Sequence, residues 1–133
     1  EQGHELVLLT RGQRGTAVPG ATSLVCDVGD EAALERVLAG RTFDAVVNFI
    51  AFDVSDVERH LRVFGPRCGQ YVFVSSASCY RKPWLRPVTE DVPLENPWWE
   101  YSRRKIACER RLAGAPVPTT VVRPSLTYDT VLP

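Results

Sequence analysis

The residues best suited to chemistry are a serine, a tyrosine and a lysine: Ser76, Tyr101 and Lys105. Tyr101 and Lys105 bound the run Tyr101-Ser102-Arg103-Arg104-Lys105, a spacing of one helical turn, so both side chains stand on one face of a helix. Ser76 ends the run Tyr71-Val72-Phe73-Val74-Ser75-Ser76, which reads as a buried parallel strand finishing in hydroxyls. A phenol titrates near ~10, too high for a general base at neutral pH. An ammonium close by favours the phenolate, and Lys105 is placed to supply it. Ser76 would then hold a substrate oxygen against Tyr101. Such a set moves a proton to or from an alcohol or carbonyl oxygen, a step usually coupled to hydride transfer with a bound cofactor. A Y-x-x-x-K spacing alone also occurs by chance, so the elements around it must decide.

Those elements alternate. Glu5 to Thr10 reads as a short buried strand ended by Arg11-Gly12, and Ala21 to Cys26 as a second, followed by Asp27. Asp30 is placed to N-cap a helix from Glu31 to Ala39, with Ala33, Leu34, Val37 and Leu38 as its apolar stripe and Gly40 as its end. Phe43 to Ile50 reads as a third strand, and Ser55 to Phe64 as a helix stopped by Gly65-Pro66. Tyr80 to Pro97 is rich in proline and reads as a long loop. The helix of Tyr101 runs to about Ala113, and Thr119 to Arg123 is a last strand halted by Pro124. Near-continuous apolar strands alternating with helices predict a doubly wound parallel α/β sheet. Ligands of such sheets bind beyond the C-terminal strand ends. Here those ends carry Arg11, Asp27, Asn48 to Ala51, Ser75-Ser76 and Pro124-Ser125. That convergence lifts the tyrosine–lysine pair above chance.

The bulk properties are compatible with this. The 133 residues suit one domain, and 44% apolar content suffices for a core. Sixteen basic residues balance sixteen acidic ones, so no overall field draws nucleic acid or a membrane. Cys26, Cys68, Cys79 and Cys108 show no C-x-x-C spacing and the two histidines lie far apart, which points to no metal site and to a reducing cytoplasm. No apolar stretch reaches transmembrane length, and the first residues do not read as a signal peptide.

With the strand end Val74-Ser75-Ser76-Ala77-Ser78-Cys79-Tyr80, the Tyr101-x-x-x-Lys105 pair and the Arg123-Pro124 turn leading to Tyr128, the chain resembles the extended short-chain dehydrogenase/reductases, in their NAD(P)-dependent epimerase/dehydratase branch. The resemblance implies a Rossmann-like domain over residues 1–133. It makes Ser76 the hydroxyl that polarises the substrate oxygen, Tyr101 the acid/base, and Lys105 the residue that binds the nicotinamide ribose and lowers the tyrosine pKa. Arg11 stands where NAD-preferring relatives often carry a carboxylate, so it implies a clamp on a 2′-phosphate and NADP over NAD, with Arg14 able to share the role. The plainer reading of Arg11 is a solvated loop arginine. Asp27-Val28 resembles the pair that meets the adenine, or else a turn beside a helix. Phe49, Ile50 and Ala51 resemble strand-end backbone lining the cofactor, while Asp53 stands where some sugar epimerases have a lysine. Ser75 and Pro124-Ser125 resemble the nicotinamide-side wall, although Pro124 also suits strand termination.

The resemblance also implies a nucleotide-sugar or similar hydroxylated small molecule as substrate, and a homodimer. The glycine-rich phosphate loop expected after a first strand is not in the sequence, and Glu1 to His4 reads as the end of the helix that should follow it. The sheet is accordingly expected to lack its first, central strand, and the substrate-binding C-terminal part is not in the sequence. A non-catalytic NADP- or RNA-binding protein on the same fold is the alternative, favoured only by Arg81, Lys82 and Arg86 on the long loop. Trp98-Trp99 reads as a hydrophobic staple or as packing for a substrate or lid, and Arg103-Arg104-Lys105 with Arg110-Arg111 as a solvated helix face.

Overall fold

The computed structural model describes residues 3–13, 18–83 and 87–125. Two compact units divide the chain, Glu1–Arg41 and Thr42–Pro133. The expected helix end at Glu1-Gln2, Arg14, Arg86 and Tyr128 lie outside the described residues.

In the first unit, β1 (Leu6–Thr10) and β2 (Ala21–Val25) pair in parallel from Leu6 against Ala21 to Thr10 against Val25. The turn after β1 needs its glycine: Gly12 has φ +70°, and a Cβ there would meet Val25 Cγ1 at 3.0 Å. Helix α1 (Glu31–Val37) is capped as expected, the Asp30 carboxylate accepting from Ala33 N at 2.9 Å.

In the second unit, β3 (Phe43–Asn48), β4 (Cys68–Val74) and β5 (Thr119–Val122) form a parallel sheet in that order. Helix α2 (Val54–Phe64) connects the first pair and α3 (Glu100–Leu112) the second, which makes two consecutive β-α-β crossovers. The helices pack together over one sheet face. The core there joins Val57 and Leu61 of α2, Tyr71 and Phe73 of β4, and Cys108 and Leu112 of α3. Alternation along β4 puts Tyr71 and Phe73 into this layer. Val47 and Val122 remain about half exposed, at 49% and 44%, so these two strands are not buried on both faces as their apolar runs predicted.

The boundaries differ from expectation where side chains intervene. β3 stops at Asn48, two residues early, because the Asn48 carboxamide captures the amides of Ile50 and Ala51, both at 2.9 Å, and turns the chain. Asp53 is the N-cap of α2, accepting from Asp56 N. Its hydrogen bond from Ser55, then that cap, holds its carboxyl below the ordinary range. Gly65-Pro66 does not simply end α2 but continues it as a 3-10 turn, Gly65–Arg67. The parallel sheets with their helices are of the Rossmann-like α/β class. No helix among the described residues is long and apolar enough to cross a membrane.

Candidate active site

The strand end of β4 and the first turns of α3 bring the three principal residues together. Ser76 caps a short 3-10 turn, Ala77–Cys79, its Oγ accepting from Ser78 N at 3.1 Å and from Ser78 Oγ at 2.9 Å. Across from it Tyr101 stands in the first turn of α3, and Ser76 is among the groups that act on its phenol. Burial, reinforced by the Cys79 thiol, raises the Tyr101 phenol, and the Ser76 hydroxyl pulls it the other way. Lys105 is not among the groups that shift this phenol, whose net direction is upward.

The reason is where Lys105 goes. Its side chain is buried, at 1% exposure, and Nζ donates to the carbonyls of Ala51 at 2.8 Å and Val74 at 2.9 Å. Nζ also lies 4.9 Å from the Phe52 ring centroid, 4.6 Å from that of Phe73 and 5.8 Å from that of Tyr101. Burial lowers the ammonium from its ordinary value. Lys105 thus leaves the solvated helix face to which the sequence assigned it and ties β3's turn to the end of β4. Arg104 keeps to that face, bridging to Glu100 at 2.7 Å.

The other site residues fall as follows. Ala51 is wholly buried, whereas Phe49 and Ile50 are exposed on the turn that Asn48 builds. Ser75 is buried and its hydroxyl donates to Glu109, so its backbone alone faces the strand end. Pro124 gives its carbonyl to Ala77 N at 2.9 Å, which sets it beside Ser76, and Ser125 is exposed next to it. In the first unit Arg11 is exposed after β1, and the Asp27 carboxylate accepts from Gly29 N at 2.8 Å across a turn.

Trp98 and Trp99 do not form a staple. Trp98 is 76% exposed, and Trp99 packs on Tyr101 with centroids 5.0 Å apart while Phe52 covers it from 6.2 Å. Of the basic cluster on the long loop, Arg81 is paired with Glu95 at 2.5 Å. That pairing leaves less charge for an RNA phosphate.

The partners that Asn48, Glu109 and Arg123 take escaped the sequence reading. Asn48 also donates to Tyr71 Oη at 2.6 Å and meets His60 Nδ1, so its carboxamide is bonded on both ends. An asparagine at a strand end before a turn was a usable signal. Glu109 holds Arg123 through Nε and Nη2, the latter at 2.7 Å, and Arg123 Nη1 donates to Tyr80 Oη at 2.9 Å. Glu109 stands one turn beyond Lys105 on the helix, a spacing that could have shown it.

A hydroxyl and a half-buried phenol at parallel strand ends, with an ammonium 5.8 Å from the phenol ring, form an arrangement that can pass a proton to or from a bound oxygen. No protein-family model matches the chain. It is 26% identical to UDP-glucose 4-epimerase of Lactobacillus helveticus over 98% of its own length and 46% of that protein's. Its fold matches the UDP-Glc/GlcNAc 4-epimerase of Campylobacter jejuni with TM-score 0.74 at 20% identity, covering 92% of this chain and 46% of that one. It also matches the Bordetella bronchiseptica enzyme WbmG in complex with NAD, with TM-score 0.68 at 22% identity, covering 92% and 45%. The chain thus spans about half the length of these relatives. In sequence and in fold it resembles the NAD-dependent epimerase/dehydratase branch of the extended short-chain dehydrogenase/reductases.

Proposed function

We propose that this chain carries the proton-transfer site of an NAD(P)-dependent epimerase/dehydratase-type oxidoreductase acting on a nucleotide-sugar or similar hydroxylated small molecule. The observation that carries this reading is the convergence of Ser76, Tyr101 and Lys105 at the C-terminal strand ends, with Lys105 Nζ 5.8 Å from the Tyr101 ring centroid. Tyr101 Oη exchanges a proton with a substrate hydroxyl, and Ser76 Oγ donates a hydrogen bond that keeps that oxygen in reach. A bound nicotinamide supplies the hydride acceptor. The chain's own groups suit one: two of the three Lys105 N–H donors serve carbonyls, which leaves one to give a ribose hydroxyl. The turn of Phe49, Ile50 and Ala51, with Ser75 and Pro124-Ser125, offers backbone and apolar surface for the nicotinamide side. From the first unit, Arg11, Asp27 and Val28 are the adenosine-side candidates, with Arg11 favouring NADP over NAD. The same reading implies a homodimer, and the cysteine usage a reducing cytoplasm.

Nucleotide titration and turnover test this together. The protein should bind NADP more tightly than NAD and invert or dehydrate a UDP-hexose, followed by NMR of the sugar ring. Arg11→Ala should weaken NADP about ten- to a hundredfold, the loss of a charge-assisted hydrogen bond, and leave NAD unchanged. Equal loss for both nucleotides would show that Arg11 is structural, and no loss of either that it is merely solvated. If no nicotinamide nucleotide binds while RNA binds with a steep salt slope, the enzymatic reading is replaced by the RNA-binding one.

A further inference from the structure

Ser76 is the last member of a hydroxyl chain that begins at a buried asparagine. Asn96, 7% exposed, donates through Nδ2 to the carbonyl of Ser78 at 2.8 Å and to Ser102 Oγ at 3.3 Å. A carbonyl only accepts, so the amide end must face Ser78 and Ser102; Asn96 Oδ1, accepting from Trp99 N at 3.2 Å, agrees. Ser102, wholly buried in α3, therefore accepts at Oγ and donates its own proton to Ser78 Oγ at 2.8 Å. Ser78 Oγ in turn donates to Ser76 Oγ at 2.9 Å, and Ser78 N donates to the same oxygen at 3.1 Å. Each hydroxyl has one proton and two lone pairs. Both lone pairs of Ser76 are thus filled, which leaves its proton to donate.

We propose that Asn96, Ser102 and Ser78 are positioning residues that fix the Ser76 hydroxyl as a donor at the reacting oxygen. Hydrogen bonds in series also polarise one another, which makes the last O–H a stronger donor. A serine in mid-helix more often bonds back to its own helix. Ser102 instead faces the 3-10 turn, and this sets the direction of the chain. The inference rests on the reading of Tyr101 as the acid/base.

The test is a mutant cycle in the full protein with Ser78→Ala, Ser102→Ala, their combination, and Ser78→Thr, which keeps the hydroxyl. Two readouts are taken: kcat on the UDP-hexose, and the titration of a ¹³C-labelled Tyr101 ring, which needs no turnover. The titratable groups near that ring are Lys105 on the same helix and Cys79 of the 3-10 turn, and none of the variants removes either. Ser78→Ala should lower kcat about two- to tenfold, the loss of one neutral hydrogen bond, with KM and NADP affinity unchanged. The phenol midpoint should move upward, since a weaker donor stabilises the phenolate less. Ser78→Thr should restore both. The double variant should match Ser78→Ala, because a chain already cut gains no second break. Multiplying effects, or an unmoved midpoint in Ser78→Ala, would overturn the proposal. If the wholly buried Ser102→Ala fails to fold, the Ser78 pair alone decides. Should Tyr101→Phe keep full turnover, the catalytic reading falls, while the ring titration still judges the hydroxyl chain.

Discussion

Tyr101→Phe should lose turnover by about 10²–10⁴-fold, the usual contribution of a positioned acid/base, while folding and nicotinamide-nucleotide affinity stay as they were. Only an oxygen is removed. The ring retains its packing between Trp99 and Phe52, and the Lys105 ammonium keeps its carbonyl partners at Ala51 and Val74. The loss should fall on kcat, because the hydroxyl's interaction with substrate strengthens as the proton moves. The wild-type pH profile carries a second signature. Burial raises the Tyr101 phenol above its ordinary value, so the phenolate needed for proton abstraction grows as pH rises through and beyond neutrality. Activity in that direction should climb with pH, and the phenylalanine variant should lack this limb. Steady-state kinetics with a UDP-hexose across pH, beside a nucleotide titration, read both. Wild-type rates at saturating nucleotide would remove Tyr101 from the mechanism.

The placement of this tyrosine was readable because it depends on local rules. One helical turn puts Tyr101 and Lys105 on one face, and an apolar run puts Ser76 at a strand end. The order of strands and helices followed from the same periodicities. The partner each side chain finally takes was not readable. Lys105 looks from the sequence like one more cation in Arg103-Arg104-Lys105, and only the β-α-β crossover brings the carbonyls of Ala51 and Val74 to it. Those contacts span 54 and 31 residues, and no local pattern reports separations of that size. The end of β3 escaped for a related reason. An apolar run through Ile50 says strand, but the Asn48 carboxamide offers the next amides a nearer acceptor than a neighbouring strand does. The tryptophans failed as a staple because Tyr101 gave Trp99 a ring to pack on.

Glu109→Ala should be the most destabilising single change at the site's base. The Glu109 side chain is 5% exposed and accepts from Arg123 at Nε and Nη2 and from the Ser75 hydroxyl. That carboxylate is the largest reason the Arg123 guanidinium is held even above its high ordinary value. Truncation leaves a guanidinium only 19% exposed, with the Tyr80 hydroxyl and ring as its remaining partners. Breaking one side of a buried pair costs about 3–5 kcal/mol. That is a large share of a typical ~5–15 kcal/mol domain stability. The midpoint of thermal unfolding should fall by roughly 10–20 °C. The pair itself need not be stabilising, since a desolvated ion pair often does no better than well-packed apolar residues. Glu109→Leu combined with Arg123→Met should therefore recover much of the loss. Calorimetry of the three proteins separates the cases: a Glu109→Ala midpoint within a degree or two of wild type would mean that water already serves Arg123. Recovery by the double variant should not extend to catalysis. Ser75 would still lack the acceptor that pins the residue next to Ser76, and kcat should stay below wild type at temperatures where the double variant is fully folded.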